Sequence, residues 1–328
     1  MNHAIKLQIL EKIEAYDRIM LFRHIRPDGD CVGATRGLRE ILRQTWPGKT
    51  VLLVDPNPPA SFAFLGTDDA PVPEADYADA LGIVLDTAST DRIANPNYAH
   101  CRELIKLDHH IPLTPYGDIA WVEEERASCC EMVVDFWQTF RDRLKISPHA
   151  AACLYTGMVT DTGRFRYHEV NGETMRCAAA LLDVGVDTDN LFAQLYLESY
   201  DVLRFKAHVL GRIQVTEHGV AHLFIDRATQ AQFGLSLEQA SACVSYMDGI
   251  RGCICWIAFI ENGDAEGSVR VRLRSRFAPV NSVAEHYRGG GHAFACGATV
   301  YGQDEIDALL AEADALVRDY KATHDGWL

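Results

Sequence analysis

No apolar run in this chain approaches the ~20 residues that a helix needs to cross a bilayer. A membrane is therefore not expected among its partners. Positive charge is also scarce, with a formal net charge of −15. Proteins that live on long duplex nucleic acid rely on many Lys and Arg contacts to phosphate, so long duplexes are disfavoured. A small phosphorylated substrate held by a few local cations is not. Ten cysteines occur without one Cys-x-x-Cys pair, which argues against a zinc ribbon or a thioredoxin-type site. The stretch Met1 to Glu14 mixes acid and base and has no signal-peptide core. The cysteines are accordingly expected to be reduced, and the protein cytoplasmic. Internal repeats and low-complexity segments are missing too.

What is present is ample material for a core: 328 residues, 48% of them apolar, enough for two domains of ordinary size. Apolar spacing predicts a helix over Ala4–Tyr16. A continuous apolar run predicts a buried parallel strand at Arg18–His24, and further strands are predicted at Val51–Val54, Leu81–Leu85, Leu104–Leu107 and Ile119–Val122. Helices are predicted at Val32–Arg43, at Cys130–Phe140, from Ser147-Pro148 to Asp161, and at Glu173–Leu182, the last stopped by Gly185. The alternation predicts an α/β sheet with helices on both faces. Residues 187–212 read as helical throughout, a connector between domains. A second α/β unit follows, with strands near Ile213–Val215, Ala221–Ile225, Cys253–Ile260 and Ser268–Arg276, a helix near Leu237–Met247 and a closing helix Glu305–Tyr320.

The chemistry gathers around Lys106-Leu107-Asp108-His109-His110, followed by Ile111-Pro112, which cannot continue a helix. An acid and two imidazoles thus sit at the carboxyl end of a predicted strand, the edge where ligands bind in open α/β sheets. His24 with Asp28 and Asp30, then Asp86, then Asp161 likewise fall at the ends of predicted elements. Singly, each could be a cap or a turn residue. Together they place four carboxylates (Asp28, Asp30, Asp86, Asp161) where they would repel one another, a charge that two divalent cations would balance. Carboxylates mixed with imidazoles suit Mn²⁺ better than Mg²⁺.

In chain order, His24-x-x-Pro27-Asp28-Gly29-Asp30, Asp86, Asp108-His109-His110 and Asp161-Thr162-Gly163, with the late Gly289-Gly290-Gly291-His292, resemble the motifs of the DHH phosphoesterase family and its DHHA1 domain. Length and layout are most similar to its stand-alone bacterial nanoRNase and pAp phosphatase group. The resemblance implies a DHH metal-binding catalytic domain over 1–186, a helical connector over 187–212 and a DHHA1 substrate-binding domain over 213–328. It also implies that His24 and Asp28 hold one metal with Asp86 bridging, and that Asp30, Asp86, His109 and Asp161 hold the other. Asp108 would orient a neighbouring imidazole and His110 would touch the scissile phosphate. Arg26 stands where many relatives carry asparagine, and its role is left open with those of Arg164 and Arg166. Two Mn²⁺ ions are the expected cofactor, with Mg²⁺ or Co²⁺ as substitutes. Two such cations, held by these residues, would supply an activated water for in-line attack on phosphorus, and no covalent intermediate is expected.

Arg270, Arg272, Arg274 and Arg276 recur at every second position of one predicted strand, which puts them on one face, with Val269, Val271 and Leu273 on the other. Such a row is either a solvated sheet face or a place where guanidinium forks onto phosphate. Arg274, Arg276, Gly290, Gly291 and His292 are the candidate substrate residues, the glycines as an anion nest. The function expected is exonuclease-like hydrolysis of short RNA or DNA oligonucleotides, dinucleotides, or 3′,5′-bisphosphorylated nucleosides such as pAp. Inorganic pyrophosphatase or exopolyphosphatase is the alternative enzyme, though the Gly-Gly-Gly-His signature is foreign to the related pyrophosphatases. A nucleotide sensor with a degenerate site is disfavoured, because every ligand position is filled. A homodimer is compatible with the sequence.

Overall fold

The computed structural model describes residues 2–55, 60–111, 115–167 and 169–327; Pro112 lies outside them. The chain divides into two compact units, Met1–Leu197 and Glu198–Leu328.

The first unit is built on five parallel strands: β1 (Arg18–Phe22), β2 (Thr50–Leu53), β3 (Leu81–Leu85), β4 (Glu103–Asp108) and β5 (Ile119–Val122). Their order is β2-β1-β3-β4-β5, so β3 is central, and it is buried along its whole length. Side chains alternate between two faces. Ile19, Leu21, Ile83, Ile105 and Leu107 join a large core with the helices α1 (His3–Ala15), α2 (Gly29–Thr45), α3 (Cys129–Thr139), α4 (Pro148–Asp161) and α5 (Gly172–Val184). The other face carries Met20, Phe22 and Val84 against Tyr77, Ala80 and Ile93. No α-helix covers that face among the described residues, which corrects the expectation of helices on both sides. The segments after β2 and β3 hold Pro71, Pro73 and Pro96, which remove helix donors, and they settle into 3₁₀ turns at Glu74–Tyr77, Thr90–Arg92 and Pro96–His100.

Helix α2 starts earlier than its apolar pattern predicts. The Asp28 carboxylate accepts from the amides of Asp30 and Cys31 and caps the first turn, so Gly29 and Asp30 are helical. Gly29, Gly33 and Gly37 recur every four residues along one face of α2. There α4 comes so near that a Cβ on Gly33 would lie 2.4 Å from the Cys153 carbonyl oxygen, and one on Gly29 2.2 Å from Thr160 Oγ1.

The stretch 187–212 contains α6 (Thr188–Tyr196), in the first unit, and α7 (Tyr200–Leu210), in the second. The second unit also holds β6 (Gln214–Val215), β7 (Val220–Ile225), α8 (Arg227–Gln232), α9 (Leu237–Ser241), β8 (Cys255–Glu261), β9 (Ser268–Ser275), α10 (Asn281–His286), β10 (Gly290–His292), β11 (Ala295–Tyr301) and α11 (Gly302–Thr323). Its mixed sheet runs β10-β11-β9-β8-β7-β6. Residues of α10 and α11 pack with Val269, Val271 and Leu273 on one face. Residues of α7 and α9 pack with Trp256, Ala258 and Ile260 on the other. The helix predicted over Leu237–Met247 is α only to Ser241 and then tightens to 3₁₀, with the Ser241 and Ser245 hydroxyls turned back onto the carbonyls of Leu237 and Ala242.

Candidate metal centre

The parallel sheet brings together residues that lie far apart in sequence. His24 lies just beyond β1, Asp86 follows β3, and Asp108 ends β4 with His109 and His110 just beyond it. Asp28 and Asp30 come from the N-terminus of α2 and Asp161 is the last residue of α4. His24 Nε2 is 3.5 Å from Asp28 and 3.4 Å from Asp86. His109 Nε2 is 3.4 Å from Asp86, 3.4 Å from Asp161 and 3.8 Å from Asp30. Ligand atoms therefore form three overlapping groups: His24, Asp28, Cys31 and Asp86; Asp86, His109 and His110; Asp30, His109 and Asp161.

Both inward imidazoles are held from behind by backbone. His24 Nδ1 lies 2.8 Å from the carbonyl of Ile25, and His109 Nδ1 lies 3.1 Å from that of Arg126. A carbonyl only accepts, so Nδ1 carries a proton and each Nε2 is the nitrogen turned toward the cluster, the one that could ligate a cation. Asp30 is fully buried and receives the amides of Cys129 and Cys130 at 2.7 and 2.9 Å. Asp108, also fully buried, joins His110 Nδ1 at 2.8 Å to Lys106 Nζ at 3.1 Å. His110 is 43% exposed on its side chain, so its outer nitrogen faces whatever approaches the sheet edge. Asp86 sits with φ +56°, a conformation sparsely used by residues other than glycine and often concentrated at functional sites. Its Oδ1 is buried with no hydrogen-bond partner among the described residues.

Electrostatics show what this arrangement lacks. Burial, with the charges of Asp86 and Asp161, drives the Asp30 carboxyl far above the usual range. Burial, only partly offset by His109, lifts Asp161 to about 6, with Asp86 and Asp28 pushing the same way. Burial would lower the imidazoles, yet the nearby carboxylates of Asp86, Asp30 and Asp161 raise His109 to about 10. His24 is raised too, by Asp28 and Asp86 against its burial. The cluster is thus short of positive charge, it has an acceptor oxygen to spare on Asp86, and two imidazole Nε2 atoms, which a cation would deprotonate, point inward. These residues fit divalent cations.

In the second unit, Arg270, Arg272 and Arg274 are half-buried on β9 and alternate with buried Val269, Val271 and Leu273. Arg276 falls beyond the strand end, because Ser275 bonds Phe294 and Ala278 and turns the chain. Its guanidinium lies over the Trp256 ring at 5.1 Å. Glu238 takes Arg270 at 2.7 Å and Arg272 at 3.1 Å, whereas Arg274 donates to the carbonyls of Leu273 and Cys296. Antiparallel register sets Trp256 beside Arg274, Arg274 beside Ala295, and Ala295 beside His292, so these four share one face. The glycines form a sheet edge rather than a nest. Gly290–His292 pair with β11, and a Cβ at Gly289 would lie 2.1 Å from the Gly297 carbonyl. The arginines and His292 thus share a surface within this unit.

Residues 18–158 match the DHH family, N-terminal domain, and residues 219–319 match the DHHA1 domain. A bifunctional oligoribonuclease and PAP phosphatase, NrnA, of Bacillus subtilis is 36% identical over 317 residues, 96% of this chain and 100% of that protein. The chain belongs to the DHH family. A probable bifunctional oligoribonuclease and PAP phosphatase of Streptococcus mutans is also 36% identical, over 94% of this chain and 98% of that one. A crystal structure of an exopolyphosphatase-related protein from Bacteroides fragilis superimposes with a TM-score of 0.77 at 26% identity, covering 97% of each chain. As a DHH family member with this donor set, the chain is a metal-dependent hydrolase. Among the described residues, no helix is long and apolar enough to cross a membrane.

Within this DHH chain the three open arginines are placed as follows. Arg26 is exposed, with φ +56°. Arg164 stacks on Tyr196 at 4.8 Å. Arg166 folds back onto the Gly163 carbonyl. Sequence reasoning missed Lys106, Arg126 and the amides of Cys129 and Cys130. Lys106 shares a strand face with Asp108 by the period of two, a signal that was available. The backbone contacts of residues 126–130 leave none.

Proposed function

We propose that this chain hydrolyses short oligonucleotides, dinucleotides included, and 3′,5′-bisphosphorylated nucleosides such as pAp, with two Mn²⁺ ions. The presence of Asp86 in two ligand groups carries this reading, because one carboxylate with an oxygen toward each group suits a pair of cations. The names of the B. subtilis and S. mutans relatives support the substrate class. His24, Asp28 and Asp86 would hold one ion and Asp30, Asp86, His109 and Asp161 the other, imidazoles favouring Mn²⁺ over Mg²⁺. When bound, such ions lower the pKa of a water and neutralise phosphoryl oxygens for in-line displacement.

The chain's own residues do the rest. Asp108, clamped by Lys106, aims His110 outward, where its Nε2 can donate to a phosphoryl oxygen as charge develops. Asp28, as helix cap, and Asp30, on two amides, are held in place before substrate arrives. Arg274, Arg276, Gly290, Gly291 and His292 of the DHHA1 unit would hold the nucleotide away from the scissile bond. The name of the B. fragilis protein keeps exopolyphosphatase as the second reading.

The test is a side-by-side assay with Mn²⁺ of a dinucleotide, pAp, pyrophosphate and polyphosphate. Turnover of the first two and indifference to the last two is expected. Faster turnover of pyrophosphate or polyphosphate would overturn the proposal.

A further inference from the structure

Two of the candidate ligands are held by one short stretch that carries no ligand itself. It runs from the loop after β5 into the first turn of α3: the carbonyl of Arg126 accepts from His109 Nδ1, and the amides of Cys129 and Cys130, the first residues of α3, donate to the Asp30 carboxylate. A backbone group aims its partner only as firmly as the backbone is itself held. Here the anchor is the Arg126 guanidinium. It is 8% exposed and pairs with Glu123 at 2.5 Å, Asp135 at 2.6 Å, Glu131 at 3.0 Å and Glu173 at 3.1 Å. These carboxylates come from the loop itself, from α3 and from α5. Glu131 adds a bond to the amide of Ala127, and the Ser128 hydroxyl caps α3 through the amide of Glu131. The planar fork of guanidinium can serve several carboxylates at once, which an ammonium cannot match.

The other group is aimed without this loop. His24 leans on the carbonyl of Ile25, and Asp28 on the amides of its own helix. Apart from Asp86, which both ions would share, this stretch therefore acts on the Asp30, His109 and Asp161 group and bypasses His24 and Asp28.

We infer that Arg126 is a positioning residue for one of the two cation sites. It locks the loop that aims His109 and Asp30, and so sets how tightly the ion on Asp30, His109 and Asp161 binds, while the ion on His24 and Asp28 is indifferent to it. The inference rests on the two-ion reading above. Groups that orient metal ligands from behind typically change metal affinity 10–100-fold when removed, and that is the scale expected here, on one ion only.

The experiment is calorimetric titration of Mn²⁺ alone into the metal-stripped protein, with far-UV circular dichroism to confirm folding. Wild type should show two binding events. Arg126→Gln should weaken one by roughly 10–100-fold and leave the other unchanged, and Arg126→Lys should fall between. Glu123→Gln, which removes a single anchor, should weaken the same event to a smaller degree, and it carries the test if Arg126→Gln does not fold. Two events weakened alike, as a merely structural role would give, or both unchanged in the folded variants, would overturn the inference. A wild-type titration with a single event would instead overturn the two-ion reading, and this inference with it, before any variant is examined.

Discussion

Replacing Gly33 by alanine tests whether the close crossing of α2 and α4 builds the metal centre. The new Cβ would lie 2.4 Å from the Cys153 carbonyl oxygen, 3.0 Å from Cys130 Sγ and 3.1 Å from the Gly157 nitrogen. Ordinary contact begins at 3.4 Å, so the facing backbone must retreat by 3.4 − 2.4, about 1 Å. Two of the three obstacles are main-chain atoms of α4, so no side chain can rotate away. In an open helix Gly→Ala stabilises by ~0.5–1 kcal/mol, while overpacking costs ~1–3 kcal/mol. A net loss of about 1–2 kcal/mol is expected. Asp30 rides on α2 and Asp161 on α4, so the same retreat parts two candidate ligands, and a misplacement of ~1 Å can lower catalysis ~100-fold. Gly37→Ala is the comparison, because its Cβ would meet Cδ2 and Cγ of the buried Leu154 side chain at 2.7 Å and no backbone atom nearer than 3.4 Å. That variant should lose stability by repacking Leu154 while keeping more of its activity than Gly33→Ala. Urea unfolding and kcat/KM on a dinucleotide with saturating Mn²⁺ give the readouts. A Gly33→Ala protein as stable and as active as wild type would refute the role of the crossing.

Further outcomes can be checked with the same assays. Asp86→Ala should abolish hydrolysis while leaving the chain folded; retention of more than about a tenth of wild-type turnover, a barrier difference of ~1.4 kcal/mol, would contradict the bridging role. Chelation should remove activity, and Mn²⁺ should restore it better than Mg²⁺; equal rescue would count against a mixed imidazole and carboxylate site. Arg274→Ala and His292→Ala should impair dinucleotide hydrolysis strongly yet spare the slow hydrolysis of bis-p-nitrophenyl phosphate, because remote binding energy is used to position the scissile bond. Comparable kcat/KM losses on both substrates would return the arginine row to a solvated face.

Much of this molecule was legible in its sequence, because its signals are local. Buried parallel strands read as apolar runs, and β1, β3, β4 and β5 lie where those runs fall. Asp86, Asp108-His109-His110 and Asp161 end elements whose pattern is plain, and the order of the motifs is enough to recognise the DHH family. The alternation of Arg270, Arg272 and Arg274 likewise survives as a strand face. Arg276 did not, since the strand's end depends on what Ser275 bonds.

Other features arise only when distant segments meet. That the described α-helices cover a single face of the first sheet follows from where the crossovers pack, and composition hints at it only through prolines. The glycines at 29, 33 and 37 are a spacing visible in the sequence, but their meaning lies in α4, which places backbone within 2.4 Å of a would-be Cβ at Gly33. The strained backbone of Asp86, the clamp of Lys106 on Asp108 and the hold of residues 126–130 on His109 and Asp30 are likewise tertiary. Residue type and spacing determine which side chains can ligate or carry charge, because those properties belong to the side chain and its local period. Which of them are oriented, and by what, is decided by backbone donors and acceptors that every residue but proline possesses alike, and only the folded chain selects among them.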